Sequence, residues 1–246
     1  MVAVGISTIS SKAIYSLRRG LHDARALGNY GLEEELGSGG MGIVYRATHA
    51  VLRRPTAIKL LRPEAASQVN VSRFEREVRL TARLTHPNTI AVYDYGRSPE
   101  GLFYYAMEYV DGVDLDLLVE NHGPLPPGRI ILILEQVAAS LAEAHDLGLI
   151  HRDVKPANIM IGIRGGIPDM VKVLDFGLVK NVRRDESSLS SVEKLKGTPH
   201  FISPEDILTP ADVDGCSDLY ALGGVAYYLL TGEHVFEGVD ISGHTT

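Results

Sequence analysis

Residues 149–177, LIHRDVKPANIMIGIRGGIPDMVKVLDFG, constrain the fold of this chain more than any other stretch. Two acids, Asp153 and Asp175, stand here with Lys155 and Asn158 between them, among short apolar runs at Leu149–Ile150, Ile159–Ile161 and Val171–Leu174. Runs of that length suit buried strands or a packed loop base. The polar residues are therefore expected at the edge of a core, at the ends of stiff elements. Such a place can hold a metal ion and a reacting hydroxyl. Taken alone, the stretch fits any metal-assisted chemistry.

The upstream sequence narrows that choice. Residues 30–48 place strand-like segments around a glycine cluster, Gly37, Gly39, Gly40 and Gly42. Glycines let backbone amides approach phosphate oxygens with no Cβ in the way. The same cluster can be a plain hairpin turn. A dinucleotide-binding loop would start a helix at its last glycine, whereas Ile43-Val44-Tyr45 is rich in β-formers. A hairpin folded over a nucleotide fits better. Residues 55–61 read as a third strand that carries Lys59 among apolar neighbours; its ammonium either enters a cleft or is solvated at a sheet edge. Residues 70–84 read as an amphipathic helix, with Phe74, Val78 and Leu84 near one face. Glu77 lies beside that face, where it either meets Lys59 or is solvated. Strands at Ile90–Tyr95 and Leu102–Glu108 follow, and a hinge is expected at 108–112.

The rest of the chain is expected to be mainly helical. A short helix is read at Asp114–Val119. A long one at 127–147 has the apolar stripe Ile130, Ile133, Leu134, Val137, Leu141 and Ala144. Residues 180–196 are polar and aperiodic, as in a loop. Residues 217–230 are almost wholly apolar and predict a buried helix, capped near Ser217 or Asp218. At the other end, residues 10–27 read as an amphipathic helix stopped by Gly28, a leader outside the main domain.

Bulk properties limit the class. The 246 residues suffice for one large domain or two lobes, and a net charge of −7 provides no basic field for nucleic acid. The one cysteine, Cys216, excludes an intramolecular disulfide and a cysteine-rich zinc site, and fits a reducing, cytoplasmic setting. No apolar run approaches the roughly 18–20 residues that span a bilayer. The apolar start, followed by Lys12, Arg18, Arg19 and Arg25, is either an ordinary terminus or the cytoplasmic side of a membrane anchor in a longer parent.

In their order along the chain, these motifs resemble those of the protein kinase family, specifically the bacterial eukaryotic-like Ser/Thr kinases. The resemblance covers roughly residues 29–238 and rests on five motifs. They are the glycine loop 37–44, Ala57-Ile58-Lys59, His151-Arg152-Asp153 through Asn158, Asp175-Phe176-Gly177, and Ser203-Pro204-Glu205. It implies an α+β, bilobal fold: a leader at 1–28, a β-rich N-lobe at 29–110 and a mainly helical C-lobe at 111–246 that lacks its last helices. The implied reaction moves the γ-phosphoryl group of Mg-ATP to a protein Ser or Thr hydroxyl. Lys59 would pair with the α- and β-phosphates and with Glu77. Asp175 and Asn158 would bind Mg²⁺. Asp153 would orient the acceptor and take its proton, Lys155 would offset charge on the moving phosphoryl, and Thr198 would fix Asp153 and Lys155. The phosphate loop would use Gly37, Gly39 and Gly42. Adenine would lie between Val44 and Ala57 above and Met160 below, with Met107 behind it, backbone groups of Glu108 and Val110 at its edge, and Asp114 at the ribose.

Arg152 implies an activation-loop phosphate, with Ser187, Ser188, Ser190 and Ser191 as candidates and Ser190 or Ser191 the best spaced. Truncation would leave Glu205 buried without the arginine that the family supplies, and helix 217–230 short of cover. Two other functions are weighed. A binding scaffold of the same fold would be expected to lose Lys59, Asp153 or Asp175. An aminoglycoside-type phosphotransferase would lack Gly197-Thr198-Pro199 and Ser203-Pro204-Glu205.

Overall fold

A computed structural model of the chain describes residues 26–39, 42–61, 78–98, 101–176, 199–210 and 213–236. They fall into two compact units. One is drawn from Met1–Ala66 and Asp94–Tyr109, the other from Ser67–Tyr93 and Val110–Thr246.

The first unit is built on antiparallel strands. β1 (Ala26–Leu27), β2 (Tyr30–Gly39), β3 (Gly42–His49), β4 (Pro55–Leu61), β5 (Val92–Arg97) and β6 (Phe103–Glu108) form a sheet of order β1-β2-β3-β4-β6-β5. Leu27, Tyr30, Ile43, Ala47, Ile58, Leu60, Tyr104 and Ala106 make its core. β4 is buried from Thr56 to Leu60, on both faces, so its period-two alternation is lost from the burial pattern. Gly96 is held close against Tyr104, whose hydroxyl oxygen lies 2.9 Å from where a Cβ would stand.

The leader helix expected over 10–27 needs correction where it can be compared. Ala26 and Leu27 are strand, paired with Gly31 and Tyr30, and Leu27 is buried in the core. Two residues flanking the Gly28-Asn29 turn pair more readily than they continue a helix, because Gly28 takes a left-handed φ of 58°. Strands β5 and β6 begin at Val92 and Phe103, slightly later than the apolar runs suggest.

In the second unit, β7 (Gly112–Asp114), β8 (Ile159–Arg164) and β9 (Ile167–Val173) form a small antiparallel sheet of order β7-β8-β9. Helices α1 (Leu115–His122), α2 (Pro127–Asp146), α3 (Pro204–Leu208) and α4 (Gly215–Thr231) complete it. The apolar stripe of α2 enters the core as expected, with Leu134 at its half-buried margin. Of the helix expected at 70–84, residues 78–84 lie within the described residues; 78–81 are helical, and the helix ends before 84, with 82–83 in a turn.

The turn at 85–90 is tied to α2 and β9 by polar bonds. The Glu143 carboxylate accepts from Thr85 N at 2.9 Å, the Thr85 hydroxyl at 2.8 Å and His86 N at 2.9 Å. Asn88 Nδ2 donates to Gln136 Oε1 and to the Val171 carbonyl, and the hydroxyls of Thr89 and Ser140 meet at 2.7 Å in the interior.

Two expectations for the end of the chain are corrected. α4 is capped by Asp214, whose carboxylate accepts from Cys216 N, not by Ser217 or Asp218. It is also not buried all round. Asp218, Ala221, Leu222, Val225 and Leu229 face inward, while Leu219, Tyr220, Tyr227 and Leu230 are exposed. Glu205 is half-buried rather than buried and alone, and its Oε1 accepts a hydrogen bond from Ser217 Oγ at 3.1 Å. The serine sits one turn into α4, close enough to satisfy the carboxylate locally.

Two predictions follow from this packing. Gly112 faces Gly162 across the β7–β8 ladder, and a Cβ at Gly112 would run into the Ile161 carbonyl. Gly112→Ala should therefore destabilise the second unit by about 1–3 kcal/mol, read as a lower midpoint in urea unfolding. Burial pushes the Glu143 carboxyl up, but the bonds from Thr85 and His86 outweigh it and hold the group below the ordinary value of 4.5. A depressed folded-state pKa stabilises above the unfolded value and is lost as pH falls through the folded one. Glu143→Gln should thus show a shallower fall in melting temperature below pH 4.5 than the native chain, read from thermal melts across that range.

Candidate functional site

The chemistry-bearing residues of the second unit are set by one buried carboxylate. Asp218, 1% exposed in the first turn of α4, accepts from the backbone N–H groups of His151 (Oδ2, 2.8 Å) and Arg152 (Oδ1, 2.8 Å). Its Oδ2 also meets His145 Nε2 at 2.7 Å. A buried carboxylate needs such donors, and a helix N-terminus favours its charge. The turn at 151–152 is thereby pulled onto α4, and Arg152 takes a left-handed φ of 64°. A non-glycine residue rarely holds that conformation unless its surroundings impose it.

His151 carries the constraint onward. Its Nε2–H donates to the Leu174 carbonyl at 2.7 Å, so its Nδ1 is left to accept from Asp153 N at 3.2 Å. Its ring packs 4.7 Å from that of Phe176. One imidazole thus links the Asp153 backbone to the segment that ends in Asp175. Leu174 N also donates to the Asn158 carbonyl at 2.9 Å. Asp175 itself has a left-handed φ of 54°. The 151–158 and 174–176 segments are therefore locked together from both sides.

The Asp153 carboxylate is gripped at one oxygen. Oδ2 accepts from Lys155 Nζ at 2.9 Å and from Asn158 Nδ2 at 2.8 Å, and Asn158 Nδ2 also reaches the Asp153 carbonyl at 2.7 Å. Its side chain is about one-third exposed (32%), so it remains open to a reactant. Pro156–Asn158 forms a single 3₁₀ turn, which brings Lys155 and Asn158 back to the same carboxylate. Because the Asn158 amide nitrogen is committed to Asp153, its Oδ1 is the donor atom that remains for a cation. Asp114 and Met160 are direct partners in the β7–β8 ladder, and Asp114 Oδ1 caps α1 by accepting from Leu117 N at 2.9 Å. Val110 lies two residues before this ladder and is half-buried.

In the first unit, Lys59 is 6% exposed on β4, opposite Val44 on β3 and Tyr105 on β6, with its ammonium 5.9 Å from the Tyr105 ring centre. Ala57 stands opposite Met107, and Met107 and Glu108 are both buried. Gly37 pairs with Val44 and Gly39 with Gly42 in the β2–β3 hairpin. The glycines differ in what they are needed for. Gly37 has open space where a Cβ would stand, whereas a Cβ at Gly42 would run into the Leu60 carbonyl of β4. Gly42 is therefore required by strand packing.

Glu77, Gly177, Thr198 and the serines at 187, 188, 190 and 191 lie outside the described residues. Sequence reasoning missed Asp218 and His145 and gave His151 no role of its own. The signal for Asp218 was present, since it is the only acid in the otherwise apolar run 217–230. It was read as a helix cap rather than as an acceptor for a distant turn.

Residues 30–245 match the protein kinase domain family. Among curated relatives, the chain is 42% identical over 220 residues to serine/threonine-protein kinase pkn3 of Myxococcus xanthus, a match that covers 88% of this chain and 40% of that protein. The chain thus spans well under half the length of that relative. Among solved structures it is similar to the Mycobacterium tuberculosis PknI kinase domain (TM-score 0.69, 33% identity, 86% of this chain and 78% of that one). It is also similar to Rad53 1-466 in complex with AMP-PNP (TM-score 0.69, 25% identity, 87% and 51%). With the gripped Asp153, the Asp175 segment beside it and Lys59 buried on its strand, these matches establish that the chain belongs to the protein kinase family, in its bacterial eukaryotic-like serine/threonine branch.

Proposed function

We propose that the chain transfers the γ-phosphoryl group of ATP to a serine or threonine hydroxyl of a protein substrate, in bacterial signalling. The observation that carries this reading is the Asp153 carboxylate, held at Oδ2 by Lys155 and Asn158 and tied through His151 to the segment ending in Asp175. The acceptor hydroxyl donates to Asp153, which aims its oxygen at the γ-phosphorus. As the new O–P bond forms, the bond to the β-phosphate oxygen breaks, its electron pair leaves with ADP, and the hydroxyl proton passes to Asp153. Lys155 offsets the charge on the moving phosphoryl. Such a reaction is catalysed mostly by positioning and charge stabilisation, so a small rigid set of residues suffices.

The nucleotide's partners are assigned on the same reading. Lys59 binds the α- and β-phosphates and pairs with Glu77, and Gly37, Gly39 and Gly42 bring backbone amides to phosphate. Val44, Ala57, Met107 and Met160 contact the base, backbone groups of Glu108 and Val110 bond its edge, and Asp114 takes the ribose. Asp175 and the Asn158 amide oxygen are hard oxygen donors, few in number, which suits Mg²⁺ because that ion shares its ligands with phosphates and water. Mg²⁺, when bound, neutralises charge on the phosphate oxygens. Thr198 fixes Asp153 and Lys155, and autophosphorylation at Ser190 or Ser191 recruits Arg152. Dependence on ATP assigns the reaction to the cytoplasm. Among the described residues no helix is long and apolar enough to cross a membrane.

Incubating the full chain with labelled ATP, Mg²⁺ and a basic protein substrate tests this reading. Transfer is expected, and Asp153→Asn should lower kcat by about 10²–10⁴-fold with nucleotide affinity retained. Tight nucleotide binding with no transfer would favour a binding scaffold instead. Asp218 acts on the reaction through the 151–152 turn and also holds the His145 ring. Asp218→Ala strands buried donors, at a cost of about 1–3 kcal/mol each. It should lower both melting temperature and kcat while leaving the KM for ATP close to that of the native chain.

A further inference from the structure

The second unit also holds a titratable stack that the proposed reaction does not use. The turn Pro199–Phe201 meets the residues that follow α4 through aromatic rings. His200 and His234 lie face to face with centroids 4.0 Å apart and planes within 2°. His234 also stacks on Tyr228 of α4 at 5.1 Å and 10°, and Phe201 meets it edge-on at 5.6 Å. His200 Nδ1–H donates to the Phe236 carbonyl at 2.6 Å, which fixes its tautomer. His234 Nδ1 is buried and has no hydrogen-bond partner among the described residues.

These contacts favour a neutral His234 with its proton on Nε2. A second proton, added at Nδ1, would find no acceptor and would set a charge against the face of His200. The groups facing the ring from each packed element are His200 from the turn, Tyr228 from α4 and Asp116 from α1. Asp116 also hydrogen-bonds the Tyr228 hydroxyl, and Glu120 and Asp114 add their field there. Burial and that hydrogen bond push the Tyr228 phenol up to about 12, so it stays neutral. At His234, burial and then His200 outweigh the opposing pull of Asp116, and the imidazole lies below its ordinary value of 6.5. A group depressed in this way stabilises above the unfolded pKa and ceases to do so as pH falls through the folded one.

We propose that His234 is a positioning residue. In its neutral form it holds the 199–201 turn against the end of α4, and on mild acidification its protonation releases the turn and turns the kinase down. This rests on the kinase reading above, in which the turn directly follows Thr198. Histidine is the side chain suited to respond in that range.

The test follows kcat, the KM for ATP, melting temperature and the isotope-labelled histidine NMR resonances of the full chain from about pH 8 to about pH 5. In the native chain the His234 resonance should titrate below the ordinary histidine range. Melting temperature and kcat should fall with it, kcat by up to about tenfold per pH unit, while the KM for ATP changes little. His234→Phe keeps a stacking ring without the proton. Each variant is scaled to its own rate at neutral pH, and His234→Phe should then show a shallower acid limb. An acid limb identical in the native chain and His234→Phe overturns the switch alone, as does a His234 resonance that titrates at or above the ordinary value. Absence of transfer at every pH overturns the kinase reading itself. Should His234→Phe fail to fold, the native NMR titration and melting profile decide the matter.

Discussion

The site in the second unit depends on a single buried carboxylate. Asp218 is removed from water, so its oxygens must collect donors, among them the amides of His151 and Arg152. Satisfying them bends the turn into a conformation that arginine would not adopt unaided. His151 then transmits the same constraint, binding the Asp153 amide on one nitrogen and the Leu174 carbonyl on the other. The reacting groups are thus positioned from beneath by a residue that touches none of the expected reactants. Removing it would leave the motif's sequence intact and its geometry unsupported.

The first unit solves a different problem. A lysine side chain has to be held at a fixed place on a strand covered on both faces. β4 does this by pairing on both edges, with β3 and with β6. Lys59 is fixed by register, opposite Val44 and Tyr105, so any slip of one residue would turn it to the other face. Gly42 secures that register by permitting the backbone of β3 to approach Leu60.

Local patterns in the sequence were readable where each element buries itself by its own periodicity. The α2 stripe, the glycine hairpin and the strand around Lys59 all came out as read. Asp153, Lys155 and Asn158 are neighbours in sequence, and a 3₁₀ turn brings them to one carboxylate. What sequence alone left unread were relations across long separations. Nothing near Asp218 indicates that its acceptor oxygens serve residues more than sixty positions earlier. Glu205 was expected to be stranded because its family partner was sought far away, while Ser217, twelve residues on, lies within hydrogen-bond reach. Ala26 and Leu27 looked helical because alternation is undetectable in two residues, and only pairing with β2 makes them a strand.

The left-handed backbone at Arg152 and Asp175 has a consequence for how such a chain can change over time. Arg152 would be more comfortable as glycine or asparagine and Asp175 as glycine, so a search for thermal stability alone would drift towards those replacements. Each would relax the backbone by discarding a side chain assigned to phosphate recognition or metal binding. Stability and activity therefore pull in opposite directions at these two residues. A thermally improved descendant that keeps both must find its gains elsewhere, in surfaces and loops remote from residues 151–176.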